Sequence, residues 1–514
     1  MTAPLSSLWT NSHDGAPSVG RPPLSGDRRA DVVVVGAGAA GLSIALRLQE
    51  SGADVVVLER HTVGGGVTGG STAKVTALHG VQSSAIERQH GSDAATAYLT
   101  ANREALDDIR ATIDRYGIAC ELTSAAAINY ATSPAGRARL DDELTTTRAA
   151  GLATELHDDA QLPFPVEAAL LLPDQAHLHP VRWCRGLAEA LRPGAIHEQT
   201  PVVRVDEDAG SCIAATPSGS VQAEHVVIAT QTPIVDPRYL AVRCRPHRSY
   251  VVAARIDGPL ASDMYLSVDE PVRSLRPAQA DGASYLVVAG EGHPVADERD
   301  AGDCLATLEA WTRERFPVVS IENRWAAHDQ MPADHLPFIG RLTPGSNRWV
   351  ATGFQKWGLT TSAVAATIIG EGIAGRGHRA AEVFDPTRLR STMTGQLACD
   401  VGRVASRYVG DHVRLLGPDR HATARSLDAL TTGDGVVMRI GRQRAAIHRD
   451  LDGRLHAVSA ACTHEGCLVR FNRAQTSWDC PCHGSRFAVD GEVLCGPAVD
   501  PLRRVDVSQP ADPS

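Results

Sequence analysis

Four cysteines and two histidines crowd into two short boxes towards the C-terminal end: Cys462-Thr-His464 and, after fifteen intervening residues, Cys480-Pro-Cys482-His483, with Cys467 between them. Each box offers at least one thiolate and one imidazole. Zinc knuckles usually pair like ligands, whereas a two-iron cluster with two cysteines on one iron and two histidines on the other needs one of each from two facing loops. The mixed boxes therefore favour iron and sulfide, with zinc as the alternative that spacing alone leaves open. The other seven cysteines, Cys120, Cys184, Cys212, Cys244, Cys304, Cys399 and Cys495, are scattered singly, the distribution of small buried hydrophobes.

A second chemistry is carried by backbone. Gly36, Gly38 and Gly41 form G-x-G-x-x-G directly after the valine run 32–35, the composition of a parallel strand buried on both faces. One glycine makes a tight turn, one admits a pyrophosphate, and one lets helix and strand touch. A helix from about residue 39 to 50 then offers the amides of Ala39 and Ala40 and its positive dipole end to the phosphates. A second strand, 53–58, ends at Glu59, whose carboxylate can accept both ribose hydroxyls. Strand, glycines, helix, strand and acid in this order predict a bound dinucleotide. The Gly- and Ser/Thr-rich stretch 63–80 lets more amides approach the cofactor, and Ser71 and Thr72 can cap the helix beyond it. Gly64, Gly66 and Gly69 repeat the glycine spacing, but no helix, strand and acid follow, so they predict no second nucleotide site.

The elements that must hold these residues come from periodicity. Helices are expected at 83–116, 134–150, 178–191 and 303–316, and strands at 200–206 and 222–230. From 243 to 297 the pattern alternates with period two, as an antiparallel sheet does. Strand 349–352, a turn at Gly353 and a helix at 361–370 aim a second helix N-terminus at a ligand. Residues 1–30, rich in Pro, Ser and Gly, read as a disordered tail. The chain has 514 residues, 43% of them hydrophobic and 21% charged, with net charge −10. That balance, without an apolar run of spanning length, predicts a cytoplasmic protein with no transmembrane segment, and the absence of a basic block argues against nucleic acid.

Residues 31 to about 375 resemble the D-amino acid oxidase type of FAD-dependent oxidoreductases, on the glycine fingerprint with Glu59, the Gly-Ser-Thr loop, the strand ending Ala229-Thr230 and the closing segment 337–358. The resemblance implies a Rossmann-like α/β FAD domain (about 31–82, 176–235 and 336–375) carrying an antiparallel-sheet substrate domain (about 83–175 and 236–335). It implies FAD contacts from Gly36, Gly38, Ala39, Ala40, Gly41, Glu59, Arg60, Ser71, Thr72, Lys74, Val203, Thr230, Gly353, Lys356, Gly358, Leu359 and Thr360. Family members that bind flavin covalently use a Cys before the closing strand or a His in the loop after the first unit. Here neither is present and Lys74 stands near the place of that His, so non-covalent FAD is expected. For catalysis, Arg276 and its neighbour Arg273 are candidates to clamp a substrate carboxylate, with surface salt bridges as the other reading. His293, His328 and Gln330 are candidates to face the flavin. Lys356 is placed to stabilise the reduced flavin's negative charge.

Residues 425–508 resemble a Rieske domain, small and all-β, joined through a helical linker at 376–424. The resemblance implies that Cys462 and Cys480 bind one iron, that His464 and His483 bind the other, and that Cys467 and Cys482 form a disulfide. It implies that Ser485 hydrogen-bonds a bridging sulfide, while Phe487 stands where high-potential members carry Tyr, so an intermediate potential within the roughly −150 to +300 mV Rieske span is expected. Together the halves imply that an amine or amino acid reduces FAD and that electrons leave singly through the cluster to an unknown acceptor. An NAD(P)H- or partner-linked reductase is the alternative, as is a sensing role for the cluster. A Rieske oxygenase lacks its mononuclear-iron motif here.

Overall fold

The computed structural model describes residues 5–11, 20–208, 210–237, 240–259, 262–295, 297, 299–388, 427–440 and 443–506. Its first layer grows from the valine run. Strand Arg28–Val35 lies between Gly219–Ile228 and Val55–Leu58, parallel to both. Alternation then makes two cores from one strand: Val32 and Val34 pack with Leu42, Leu46 and Val57, while Val33 and Val35 pack with Val56, Leu58 and Val202 on the other face. Each such buried side chain contributes roughly 1.5–3 kcal/mol. Arg348–Thr352 extends the sheet in parallel beyond Gly219–Ile228, and Phe338–Arg341 adds an antiparallel edge.

The second sheet runs Val318–Pro332, Cys244–Ile256, Ala283–Pro294, Ser274–Ala280, Met264–Ser267, Thr123–Ala131, Ala168–His177 and Lys74–Val75. Its long central ribbons are antiparallel, as period-two alternation requires, although Met264–Ser267 and Thr123–Ala131 pair in parallel. Helix Ala39–Glu50 packs against Gly358–Ile373 beside the first sheet, and Ala301–Arg315 packs against the second. The helix expected over 83–116 is two helices, Gln82–His90 and Ser92–Tyr116, broken at Gly91, whose φ of +91° is outside the helical region.

Two expectations about the linking segments are corrected among the described residues. Residues 5–11, read as part of a disordered tail, form a short helix whose Leu8 and Trp9 are buried, and Trp9 Nε1 donates to the Ser71 carbonyl at 2.7 Å. Composition averaged over 30 residues conceals two bulky anchors. Residues 376–388, read as the start of a linker, pack onto the first unit. Phe384 is fully buried, and Arg388 forms a buried ion pair with Asp334 at 2.8 Å. The rest of the expected helical linker, 389–424, lies outside the described residues.

The described strands of the C-terminal unit form two sheets. Gly435–Ile440, Gln443–Arg449 and Leu455–Ser459 form one antiparallel sheet, and Arg470–Asn472, Ser477–Asp479, Arg486–Ala488 and Val493–Cys495 form another. No helix among the described residues is long and apolar enough to cross a membrane.

Candidate functional site

A cavity of about 880 Å³ runs from the glycine turn to the antiparallel sheet. At its nucleotide end Gly36 has φ +105°, and a Cβ there would lie 2.7 Å from the Ala229 carbonyl oxygen. A Cβ on Gly41 would lie 1.9 Å from the Gly36 carbonyl oxygen, so only glycine lets helix Ala39–Glu50 sit this close to its strand. Gly36, Gly38, Ala39 and Ala40 line the cavity. Glu59 lines it too, and its carboxylate accepts from the amides of Ala37 (2.7 Å) and His61 (2.8 Å), which fixes its direction and leaves acceptor capacity for ribose. Arg60 borders the same end, where burial lowers its pKa. This cradle fits a dinucleotide.

Other expected contacts divide. Ser71, Thr72, Lys74, Thr230, Gly353, Lys356, Gly358 and Leu359 line the cavity. Val203 does not: its amide is spent on the Ala215 carbonyl at 2.9 Å, and Val202 forms the wall instead. Thr360 is fully buried behind the wall, where its hydroxyl accepts from the Thr76 amide at 3.0 Å. Lys74 is pinned, its Nζ donating to the Tyr265 carbonyl at 2.6 Å, and burial followed by the nearby Arg276 charge depresses its pKa strongly.

The catalytic candidates are redistributed. Arg276 lies outside the cavity wall, buried, donating to the Thr72, Pro277 and Leu178 carbonyls and to His177 Nδ1. Arg273 is buried in an ion pair with Glu291 at 2.5 Å. Neither guanidinium is available to a substrate carboxylate. His293 is also outside the wall, with Nδ1 at 2.9 Å from the Pro294 carbonyl and Nε2 at 3.3 Å from the Tyr250 hydroxyl. His328 and Gln330 do line the cavity. Gln330 Nε2 donates to Thr232 Oγ1 at 2.7 Å, leaving its buried Oε1 unpartnered.

Lys356 lines the cavity, and three residues missed in the sequence join it. Gln355 and Lys356 have φ of +51° and +73°, left-handed values rare outside glycine, which stand where a turn has a geometric job. Lys356 Nζ donates to Ser249 Oγ at 3.0 Å. A Cβ on Gly292 would meet Lys356 Nζ and Ser249 Oγ at 3.2 Å each and His247 Cε1 at 3.0 Å, so all three converge over a bare backbone. His247 Nδ1 is buried without a partner, and burial, then the charge of Lys356, hold its pKa at about 3. Asp329, opposite His247 in the sheet register, is raised by burial to about 6 although Lys356 pulls it down. Burial lowers the pKa of Lys356 while Asp329 and Glu270 raise it. The signal in the sequence was strand alternation: His247, Ser249 and Val251 are i, i+2 and i+4 on one strand, and all line the cavity.

In the C-terminal unit the two boxes lie in facing loops. Cys467 and Cys482 are disulfide-bonded with Cα atoms 6.6 Å apart, so they are unavailable to a metal. Cys462 and Cys480 are free and buried. A mutual hydrogen bond lowers Cys462 to about 7 and raises Cys480 well above the usual thiol range. The His464 and His483 rings are 5.0 Å apart, and His483 Nδ1 is buried without a partner. Burial, with His464 nearby, keeps His483 neutral, its pKa about 4, as a metal ligand requires. Two thiols, two neutral imidazoles and an orphaned ring nitrogen fit a cluster held by one Cys and one His from each loop. Ser485 Oγ accepts from the Ala498 amide at 3.0 Å, tying the third loop, which contains Gly496 and Pro497, to the second box. Phe487 is fully buried. Cys495 departs from the scattered hydrophobes, because it borders the cavity with its Sγ 3.5 Å from Gln231 Oε1.

Residues 31–371 match the family DAO: FAD dependent oxidoreductase, and residues 422–506 match the Rieske [2Fe-2S] domain. A protein of Bacillus subtilis (strain 168) bearing the name Rieske 2Fe-2S iron-sulfur protein YhfW is 30% identical over 503 residues, covering 97% of each chain. Gamma-glutamylputrescine oxidoreductase of Escherichia coli (strain K12) is 27% identical over 375 residues, 68% of this chain and 84% of that one. Glycine oxidase from Geobacillus kaustophilus superposes with TM-score 0.60 at 19% identity, covering 71% of this chain and all of the other.

Proposed function

The chain belongs to the FAD dependent oxidoreductase family and carries a Rieske [2Fe-2S] domain, and from that premise we propose that it is an amine dehydrogenase whose electrons leave through the cluster. When bound, FAD supplies a hydride acceptor for the C–H bond beside the substrate nitrogen, and the cluster supplies a one-electron outlet. Gly36, Gly38 and Glu59 hold the nucleotide without a covalent link. The ring end is furnished by Lys356, Ser249, His247 and Asp329. A buried ammonium there favours negative charge on what it faces. His247, kept neutral by burial, lines the same end. Cys462, Cys480, His464 and His483 hold the cluster.

The observation that carries the substrate class is the fate of the arginines. Arg273 and Arg276 are consumed inside the sheet, and Arg139, which does line the cavity, pairs with Asp269 at 2.9 Å. Arg486 in the wall is paired with Asp479 and Arg60 stands at the nucleotide end, so the sheet end of the cavity keeps no spare guanidinium, which supports an amine lacking an α-carboxylate over an α-amino acid. The reductase alternative is disfavoured because Gly64, Gly66 and Gly69 lead into a short 3₁₀ turn, Val67–Gly70, and no second fingerprint follows. The test is anaerobic mixing with primary and secondary amines, α-amino acids, NADH and NADPH, following flavin absorbance. Bleaching by carboxylate-free amines is the expected result. Bleaching only by α-amino acids or only by NAD(P)H contradicts the reading.

A further inference from the structure

One buried ion pair joins the two halves of the chain. Arg248 lies on strand Cys244–Ile256, next to the cavity-lining His247 and Ser249 but on the opposite face of that strand. Its guanidinium donates to Asp479 Oδ2 in the C-terminal unit and, through Nε, to His328 Nε2 at 2.7 Å. Arg248 and Asp479 side chains are each 8% exposed. Asp479 immediately precedes the ligand Cys480. From its own side its carboxylate accepts from Ser477 Oγ (2.8 Å), Asn472 Nδ2 (2.9 Å) and Arg486 Nε (3.2 Å), and the remaining acceptor position, on Oδ2, is filled by Arg248 from the other unit.

Other contacts run beside this one. Gln231 Nε2 donates to the His328 carbonyl at 2.7 Å, and Gln231 Oε1 faces Cys495 Sγ. Together they close a ring, Asp479 to Arg248 to His328 to Gln231 to Cys495, that leaves the cluster unit at the second box and returns to it at the third loop. His61 Nε2 is 3.3 Å from the Leu494 carbonyl. A Cβ on Gly484 would come within 2.9 Å of Pro246 Cβ, so the second box is pressed onto the strand that bears Arg248. Arg486, Leu494, Cys495 and Gly496 complete the cavity wall itself.

We infer that Arg248 is a positioning residue, a clamp that fixes the cluster unit in one register against the flavin cavity so that electrons cross without the unit swinging. A buried ion pair contributes little net stability over an apolar contact, but it specifies one register, because any other leaves a charge unpaired. Arg suits this place better than Lys, since its fork can serve His328 and Asp479 together. The inference rests on the flavin-to-cluster reading above, and its test separates the two.

The experiment compares full-length wild type with Arg248→Leu and Arg248→Lys, each loaded with FAD and cluster. Hydrogen exchange is read over residues 244–249 and 479–498. Independently, the flavin is photoreduced without any substrate, and the loss of one electron from it is timed against reduction of one ferric ion of the cluster. Arg248→Leu is expected to raise exchange in both segments and to slow cluster reduction, each by at least about tenfold. Flavin photoreduction and the cluster's potential and EPR spectrum stay unchanged, and Arg248→Lys recovers part of both effects. Wild-type exchange and wild-type transfer in Arg248→Leu overturn the clamp. If Arg248→Leu does not fold, Asp479→Asn decides by the same two readouts. A wild-type cluster that never accepts an electron from the photoreduced flavin overturns the electron-transfer reading instead, while exchange still judges the clamp.

Discussion

The two ends of the cavity are built from different material. At the nucleotide end the contacts are backbone amides and missing side chains, set by Gly36, Gly38, Gly41 and Glu59 within one strand-helix-strand unit. At the end proposed for the flavin ring the lining is side chains from three separate places: His247 and Ser249 on one strand, Asp329 on its neighbour, and Lys356 in a left-handed turn beyond both. A site made of backbone tolerates no added atom, and a site made of side chains tolerates added atoms but no lost chemistry. Substitutions at the two ends should therefore fail in different ways.

The largest effect is expected from Gly41→Val. Its branched side chain cannot share space with the Gly36 carbonyl, so the helix must withdraw from the phosphates, and the purified protein should carry no FAD and melt at a lower temperature. Flavin content measured after denaturation decides this, and full occupancy contradicts it. Lys356→Met should do the opposite, keeping FAD but slowing flavin reduction by about 10²-fold in single-turnover mixing, because the lost group acts on developing charge. Arg276→Met sharpens the boundary between site and scaffold. It strands His177 Nδ1 and three carbonyls and should cost roughly 3 kcal/mol of stability by denaturant titration, with KM for an amine unchanged in the folded fraction. A raised KM without loss of stability would restore Arg276 to substrate binding.

The smallest effect belongs to Asp329. Burial raises its folded pKa to about 6, above the ordinary carboxylate value. Between about pH 4 and 6 the unfolded chain therefore holds fewer protons at this group than the folded one, and stability falls as pH rises through that window. Asp329→Asn should flatten that part of the profile of melting temperature against pH in FAD-free protein, and an unchanged slope would remove Asp329 from the coupled group at the ring end.

The same contrast explains what the sequence disclosed. Gly41 and the ligand boxes 462–464 and 480–483 were legible because their partners are local in sequence. Glu59 was legible because a strand-helix-strand unit has a fixed length. Arg273, Arg276 and His293 were misplaced because residue type announces a chemistry but not a neighbour. Their neighbours, Glu291, Thr72 and Tyr250, are chosen by sheet register and loop path. His247 and Ser249 were recoverable by alternation once their strand was known to face the nucleotide layer, a fact of tertiary structure. Trp9 and Phe384 show the limit of composition, since single aromatic anchors ordered segments that read as tail and linker.

The central claim is that one chain takes one hydride from the carbon of a C–N donor and releases its two electrons singly through the cluster. Its most direct test is anaerobic rapid mixing with a bleaching amine, with samples frozen over time for EPR at several protein concentrations. The account predicts that the reduced-cluster signal follows flavin bleaching with a rate independent of protein concentration. A flavin that bleaches while the cluster stays oxidised, or a cluster signal whose rate rises with protein concentration, contradicts it.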